Sequence, residues 1–404
     1  MLWTLKKIWY RIFQFFLTRA EYLMPWRQPE LMEGPGAVKK LPAFVKSRGV
    51  NKVLVVTDGM LSRLGLLNPM LEACKAAGLD FVLFDGAEAN PSIENIEAAR
   101  KLYADNGCDG IIAFGGGSSM DCAKAAGARI AKPWQSVSQM GGTLRVPKRI
   151  PPLFAVPTTA GTGSETTIAA VVTDRAAHHK YAIQDLCLIP RYAVLDPELT
   201  LGLPPHITST TGMDALTHAV EAYTNILAPA STDRLAEKAV RLIFDNLEKV
   251  YRDGSDMTAR QNMLKASFYG GAAFTRACVG NVHAIAHTLG GLYGTPHGLA
   301  NAVILPYVME DFGPAVYKKL ARLAELVGIQ GQDDEEKARA FIREIRRMNR
   351  DMNIVDQFDF IDEEDIPQMI RWAMKEANPI YPVPVIWGEA EFRRTIERLR
   401  ATPA

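Results

Sequence analysis

Apolar residues fall in two different rhythms along this chain, and the change comes about halfway. From residue 31 short apolar runs alternate with helical stretches. VLVVTD (53–58) and FVLFDG (81–86) are compact runs without helical spacing, which predicts strands. Pro69 to Ala77 predicts part of a helix, and Pro91 to Asn106 another, with Ser92 as N-cap and Ile93, Ile96 and Leu102 as its apolar positions. GIIAFGGGSSMDCAKAAGARIA (110–131) runs strand, glycine turn, helix; PLFAVPTT (152–159) and YAVLD (192–196) supply two more strands. Strands alternating with helices predict a parallel sheet with crossover connections.

Past LPPH (203–206) the strand signals give way to helical spacing. TDRLAEKAVRLIFDNLEKVY (232–251) repeats apolar residues at that spacing, with Thr232 or Ser231 as cap, and Thr258 to Cys278 continues in the same manner. Glu335 to Arg350 predicts a charged helix with a solvated outer side, and Pro379, Pro382 and Pro384 break the pattern near the end. The second half therefore reads as all-α. No internal repeat and no low-complexity tract interrupts either half.

The first 24 residues follow a third pattern. Leu2, Leu5, Trp9, Ile12, Phe13 and Phe16 form one helical stripe, while Lys6, Lys7, Arg11 and Arg19 precede the first acid, Glu21. No uncharged run approaches the roughly 20 residues needed to span a bilayer, and neither the apolar core nor the cleavage site of a signal peptide is present. An amphipathic basic helix of this kind lies either in an anionic membrane surface or against the protein's own body or a neighbouring subunit.

Composition narrows the class. With 404 residues, 48% hydrophobic and 23% charged, the chain is long enough for two globular domains, and a net charge of +1 gives no electrostatic case for nucleic acid. Five scattered cysteines without a CxxC pair suggest neither a thiolate metal site nor a disulfide framework, and fit a cytoplasmic setting.

Two loops carry phosphate-binding chemistry. FGGGSSMDCAK (114–124) links a strand to a helix, so its glycines let the backbone approach an anion and the helix N-terminus favours pyrophosphate. It is not the GxGxxG fingerprint, and a tight turn without ligand has the same local form. PTTAGTGSE (157–165) follows the next strand and offers the hydroxyls of Thr158, Thr159 and Thr162. Loops at the carboxyl ends of parallel strands are where such sheets bind nucleotides. Asp58, ending the first strong strand, either accepts from both ribose hydroxyls of NAD and repels the 2′-phosphate of NADP, or merely shapes the turn before Gly59.

Histidines are few, seven in all, yet three fall in HAIAHTLGGLYGTPH (283–297). His283 and His287 are four apart and share a helix face, and the glycines at 290, 291 and 294 let the chain bend so that His297 re-enters the same space. Upstream, Asp214 and His218 in GMDALTHAVEAY share a face in the same way. A single such pair is ordinarily surface or satisfied core; two pairs and a third histidine can form a first-row divalent metal site.

In this order the motifs GGGSSMDCAK, PTTAGTGSE, GMDALTHAVEAY and HAIAHTLGGLYGTPHGLANA resemble the iron-containing (group III) alcohol dehydrogenases, from about Glu33 to the NPIYPVP segment (378–384). The resemblance implies an α/β N-terminal dinucleotide-binding domain, Rossmann-like with a parallel sheet, and an all-α C-terminal domain, the dehydroquinate synthase-like architecture. The corresponding divisions are an amphipathic extension at 1–30, an NAD-binding domain at 31–203 and a helical metal-binding catalytic domain at 204–404. It also implies Asp214, His218, His283 and His297 as ligands of Fe(II), with zinc or manganese as substitutes, and His287 as a member of a proton route. NAD, rather than NADP, would be held by Asp58, by Gly115, Gly116, Gly117 and Ser118, by Thr158, Thr159 and Thr162, and by Lys180 on the ribose side. Asp121 and Lys124 belong to the glycine-loop signature, Lys124 as a neutraliser of local charge.

The expected activity is interconversion of primary alcohols and aldehydes, with the metal as Lewis acid and hydride passing to or from the nicotinamide. Phe274 matches a substrate-lining position, and Ala169 stands where the lactaldehyde-reductase branch has asparagine, which leans the substrate toward medium or longer chains. A polyol- or lactaldehyde-type dehydrogenase and a hydroxyacid–oxoacid transhydrogenase are the near alternatives. With all four ligand positions intact, a metal-free maleylacetate reductase fits poorly. A metal-dependent hydrolase would leave the phosphate loops unused, and a non-catalytic metal-binding protein at a membrane surface would use only the histidines and the N-terminal helix. A homo-oligomer, a small-molecule alcohol or aldehyde, and peripheral membrane contact through residues 1–24 complete the expected partners, with a cytoplasmic location at the inner face of a membrane.

Overall fold

A computed structural model describes residues 2–175 and 179–401. By contact density the chain divides into two compact units, Pro25–Gly202 with Ser255–Leu264, and the residues up to Met24 with Leu203–Gly254 and those from Lys265 onward.

The first unit is built on a six-stranded sheet. Its strands are β1 (Glu30–Glu33), β2 (Lys52–Val56), β3 (Asp80–Phe84), β4 (Gly110–Gly115), β6 (Leu153–Pro157) and β9 (Tyr192–Leu195), in the order β1-β9-β6-β4-β2-β3 and parallel throughout. The apolar runs are explained by burial on both faces. Leu54, Val56, Ile111, Ala113, Leu153 and Ala155 point into one core, while Val53, Val55, Ile112, Phe114, Phe154 and Val156 point into the other. Alternate residues of one strand thus feed opposite layers, and neither face tolerates polar side chains. Helix Ile93–Asp105 begins as its sequence predicts, with Ser92 and Asn95 in a reciprocal capping box.

A small second sheet was not anticipated. Strands β5 (Gly142–Thr143), β7 (Ala169–Asp174) and β8 (His179–Gln184) pair in the order β5-β8-β7, with β7 and β8 antiparallel. Buried Ala170 and Val172 alternate with the more exposed Ala169 and Val171, so the half-buried strand is too mixed to stand out beside the apolar central strands.

Helices make up the second unit, and those that matter for chemistry are Pro205–Thr224, Asn281–Leu292 and His297–Phe312. Helix Ala230–Arg252 starts at Pro229 rather than at Ser231 or Thr232; the Thr232 hydroxyl instead bonds back to the Pro229 carbonyl at 2.6 Å, inside the first turn. Gly212 allows this helix to cross Pro205–Thr224 closely, since a Cβ there would meet a Leu247 methyl at 2.3 Å. Among the described residues no helix is long and apolar enough to cross a membrane.

The N-terminal helix, Leu2–Tyr22, packs on the protein's own body with most of its apolar stripe left outward and Phe13 partly buried. Gln14 is buried, while Leu2, Leu5, Trp9, Ile12 and Phe16 are exposed.

Because the crossing at Gly212 leaves no room for a methyl group, Gly212→Ala should destabilise the helical unit by about 1–3 kcal/mol, the usual cost of overpacking a close contact. Urea unfolding followed by circular dichroism measures it. An unchanged midpoint would show that Leu247 moves aside freely.

Candidate metal centre and cofactor loops

Four side chains from three helices converge in the helical unit. Asp214 and His218 lie one turn apart on Pro205–Thr224, His283 is on Asn281–Leu292, and His297 opens the helix His297–Phe312. Each offers one ligand atom within 4.8 Å of the others. The Asn301 amide makes the convergence visible: its Nδ2 donates to Asp214 Oδ1 at 2.7 Å and lies 3.1 Å from Nε2 of both His283 and His297. Acceptor atoms from three side chains therefore aim at one small region, an arrangement that a cation satisfies. One carboxylate oxygen and three imidazole nitrogens form a donor set suited to Fe(II), zinc or manganese. Asp214, His218 and His283 are buried, whereas His297 is exposed to solvent, so the cluster has an open side.

The protonation states suit ligation. Burial, reinforced by His218, His297 and His287, holds His283 well below the ordinary imidazole range, and His297, partly withdrawn from solvent beside it, is lowered too. Both are neutral near pH 7 and keep a lone pair for a metal. His283 is oriented from behind: its Nδ1 lies 2.5 Å from Glu221 Oε2, which turns Nε2 toward the cluster. Burial pushes the Glu221 carboxyl up to about 8 against the opposing backbone N–H groups of Val282, Gly280 and His283, and the Val282 bond is 2.7 Å.

His287 does not join the four ligands. Its ring stacks on His297 at a centroid distance of 5.2 Å, and its Nδ1 lies 2.7 Å from Glu376 Oε1. Burial lowers the His287 pKa, but Glu376 outweighs it and the net shift is upward. The Tyr381 hydroxyl donates to the same Glu376 oxygen at 2.9 Å. Phe274 stacks flat on His218, 4.2 Å between centroids, which puts an apolar wall beside one of the four clustered side chains.

The α/β unit holds the other set. Gly115 ends β4 with φ of +145°, and a Cβ there would lie 2.6 Å from Ser119 Oγ, so glycine is required by both backbone and space. Gly116 caps helix Gly117–Ala131 without a side-chain bond, which leaves the first N–H groups of that helix, including Ser118, without a side-chain cap. Thr159 and Thr162 lie against Gly116 and Gly117, so the two polar loops touch, and the Thr158 N–H bonds the Gly115 carbonyl at 3.2 Å.

Lys124 fastens these loops. Its ammonium is fully buried with oxygens of Ser164, Thr167 and Ala169 within 3.1 Å, and burial lowers its pKa to about 8. Asp121, pushed up to about 6 by burial, accepts from Ser164 Oγ and the Val171 N–H. Asp58 Oδ1 accepts from the Met60 and Leu61 N–H groups at 2.9 and 3.0 Å, capping helix Gly59–Arg63 and giving the turn-forming role a geometry. Lys180 is exposed on β8, and Ala169 opens β7 with its carbonyl held by Lys124.

Glu221, Asn301, Glu376 and Tyr381 were not singled out in the sequence. Glu221 is three residues after His218 and Asn301 four after His297, so helical spacing from the ligands was a usable signal for both. Glu376 and Tyr381 approach His287 only through the fold, and nothing local marks them.

Against this geometry, comparison with known proteins is decisive. Residues 29–197 match the family described as iron-containing alcohol dehydrogenase, and residues 208–385 match the C-terminal part of the Fe-containing alcohol dehydrogenase family. The 1,3-propanediol dehydrogenase of Citrobacter freundii is 38% identical over 376 residues, 91% of this chain and 94% of that relative. Among solved structures, a 1,3-propanediol oxidoreductase superposes with a TM-score of 0.90 at 36% identity, covering 93% of this chain and all of the other. The sulfoacetaldehyde reductase of Bifidobacterium kashiwanohense, solved in complex with NAD+, gives 0.84 at 28% identity, covering 94% of this chain and all of that one. The chain belongs to the iron-containing alcohol dehydrogenase family and is an oxidoreductase whose family cofactors are NAD and iron.

If Glu221 orients His283 from behind, Glu221→Gln should weaken metal binding by about 10- to 100-fold while the fold survives. Titration of the metal-stripped protein with Fe(II) or Zn(II), with a thermal melt alongside, measures this. Unchanged affinity would remove Glu221 from the metal centre.

Proposed function

We propose that this protein is a metal-dependent, NAD-linked alcohol dehydrogenase or aldehyde reductase acting on primary alcohols and aldehydes of medium or longer chain. The observation that carries the reading is the convergence of Asp214, His218, His283 and His297 in a chain of this family. Those four residues would hold the metal. Asp58, Gly115, Gly116, Gly117, Ser118, Thr158, Thr159, Thr162 and Lys180 would bind NAD, with residues 31–203 as the cofactor domain and 204–404 as the catalytic one. A metal held by those four residues would supply Lewis acidity toward the substrate oxygen, and a bound nicotinamide would supply the hydride donor or acceptor.

The protein's own groups do the rest. Gly116 and Gly117 leave the helix N-terminus open to pyrophosphate. Phe274 gives the substrate an apolar surface next to His218 and keeps water from it. Ala169 removes a polar contact at the second substrate-lining position. His287 exchanges the proton at Nε2, since Nδ1 is held by Glu376. That carboxylate, itself fixed by Tyr381, sets the orientation of the ring.

The working form is a homo-oligomer of two or more chains; β1 ends its sheet, and an edge strand is open to pairing. Five free cysteines support a cytoplasmic location, and residues 1–24 would meet the inner face of a membrane.

Protein purified anaerobically and reconstituted with Fe(II) should form NADH from primary alcohols at a chelator-sensitive rate that rises with chain length. Activity confined to small diols would overturn the substrate assignment, and none with NAD or NADP would overturn the dehydrogenase. Asp58→Gly should relax the preference for NAD over NADP, measured as the ratio of kcat/KM values; an unchanged ratio would leave Asp58 only its capping role. Glu376→Gln removes the carboxylate that raises His287, so the lower limb of the pH–rate profile should move to lower pH.

A further inference from the structure

Helix Leu2–Tyr22 is fastened to the helical unit through Gln14, Arg11 and Trp3. Gln14, 1% exposed, donates to the carbonyls of Pro379 and Tyr381, both at 2.8 Å. Arg11 donates to the Pro384 carbonyl at 2.9 Å, and the Trp3 indole lies against Gly388. Opposite lies the apolar stripe. Leu5 is nine residues from Gln14, half a revolution at about 100° per residue, and Leu2, Leu5, Trp9, Ile12 and Phe16 are each more than 50% exposed. A helix that docks on its own protein ordinarily buries the apolar face and exposes the polar one. Here the docked side holds buried Gln14 among half-buried Trp3, Tyr10 and Leu17, and a second apolar face is left outward.

The charges beside the stripe are basic. Lys6 and Arg19 are exposed, and no acidic residue precedes Glu21. The helix also lies ahead of the family match, which starts at residue 29.

We propose that this outward face docks on the surface of a bilayer carrying anionic lipid, with the helix lying flat in the headgroup region. This names the partner for the contact assigned above to residues 1–24 and does not depend on the catalytic reading. A 21-residue helix is about 30 Å long and 10 Å wide, so one face offers roughly 300 Å². That is well short of the about 800 Å² per partner in a stable protein interface. Pairing two copies through this face would also bring Lys6 and Arg19 toward like charges with no acid to answer them. Anionic lipid answers them instead, the aliphatic and aromatic side chains enter the acyl boundary, and Trp9 suits the headgroup level. Because Pro379–Pro384 grips the helix and carries Tyr381, the partner of Glu376, the membrane would hold the helical unit itself and not a loose tether.

The test is flotation of the full-length protein with vesicles of phosphatidylcholine alone or with one third phosphatidylglycerol, at low and physiological salt. Each basic residue near an anionic surface is worth about five-fold in binding, so the mixed vesicles should bind at least about ten-fold tighter than the neutral ones. The triple variant Leu5→Ser, Trp9→Ser, Phe16→Ser should lose at least about ten-fold of that binding, with its melting temperature, its sedimentation mass and its NADH-forming rate on soluble alcohol unchanged. Failure of the wild type to float with either vesicle overturns the proposal. Equal binding to both compositions overturns the anionic partner, and a fall in sedimentation mass in the variant assigns the face to a second copy. Since flotation needs no turnover, an inactive protein that floats separates this proposal from the catalytic one.

Discussion

Acceptor atoms that crowd together inside a protein repel one another unless something positive stands among them. Asp214, His218, His283 and His297 place their potential ligand atoms within 4.8 Å, and three helices of the helical unit meet to bring them there. Helix Pro205–Thr224 must present two side chains one turn apart, Asn281–Leu292 must meet it at the height of His283, and the turn at Gly294 must return the chain so that His297 begins the next helix. Gly212, two residues before Asp214, lets the helix Ala230–Arg252 cross closely beside the cluster. Asn301 shows how closely they converge, since its Nδ2 lies within 3.1 Å of Asp214 Oδ1 and of Nε2 of both His283 and His297.

Burial then divides the ionisable groups by task. In the metal cluster it keeps imidazoles neutral and able to ligate, and Glu221 behind His283 supplies the orientation. At His287 a carboxylate partner outweighs burial and raises the imidazole's pKa. In the α/β unit the ammonium of buried Lys124 is held by the Ser164 and Thr167 oxygens, which ties the helix after the glycine loop to the second polar loop. A motif lysine beside a glycine loop is easily read as phosphate-binding, and only its surroundings show that it is structural.

The N-terminal helix separates pattern from placement. Its stripe was plain in the sequence, but periodicity says only that one face differs from the other, not which face is covered. The buried side is decided by hydrogen-bonding partners at Pro379, Tyr381 and Pro384, more than 360 residues away in the chain.

What the sequence determined by itself was local or repetitive. Apolar runs marked the central strands because both faces of a parallel sheet exclude polar groups. Spacings of four marked Asp214 with His218 and His283 with His287 as shared helix faces, and Ser92 marked a helix start through a cap made within three residues. Tertiary structure decided what depends on distant partners: that His297 and not His287 completes the cluster, that Glu376 and Tyr381 stand behind His287, and that Asp58 spends one oxygen on a cap. It also decided the small sheet at Ala169–Gln184, whose half-exposed strands carry too weak an apolar signal to be read alone. The physical reason is the same throughout: a period or a cap is a property of neighbours in sequence, while burial, pairing and charge compensation belong to neighbours in space.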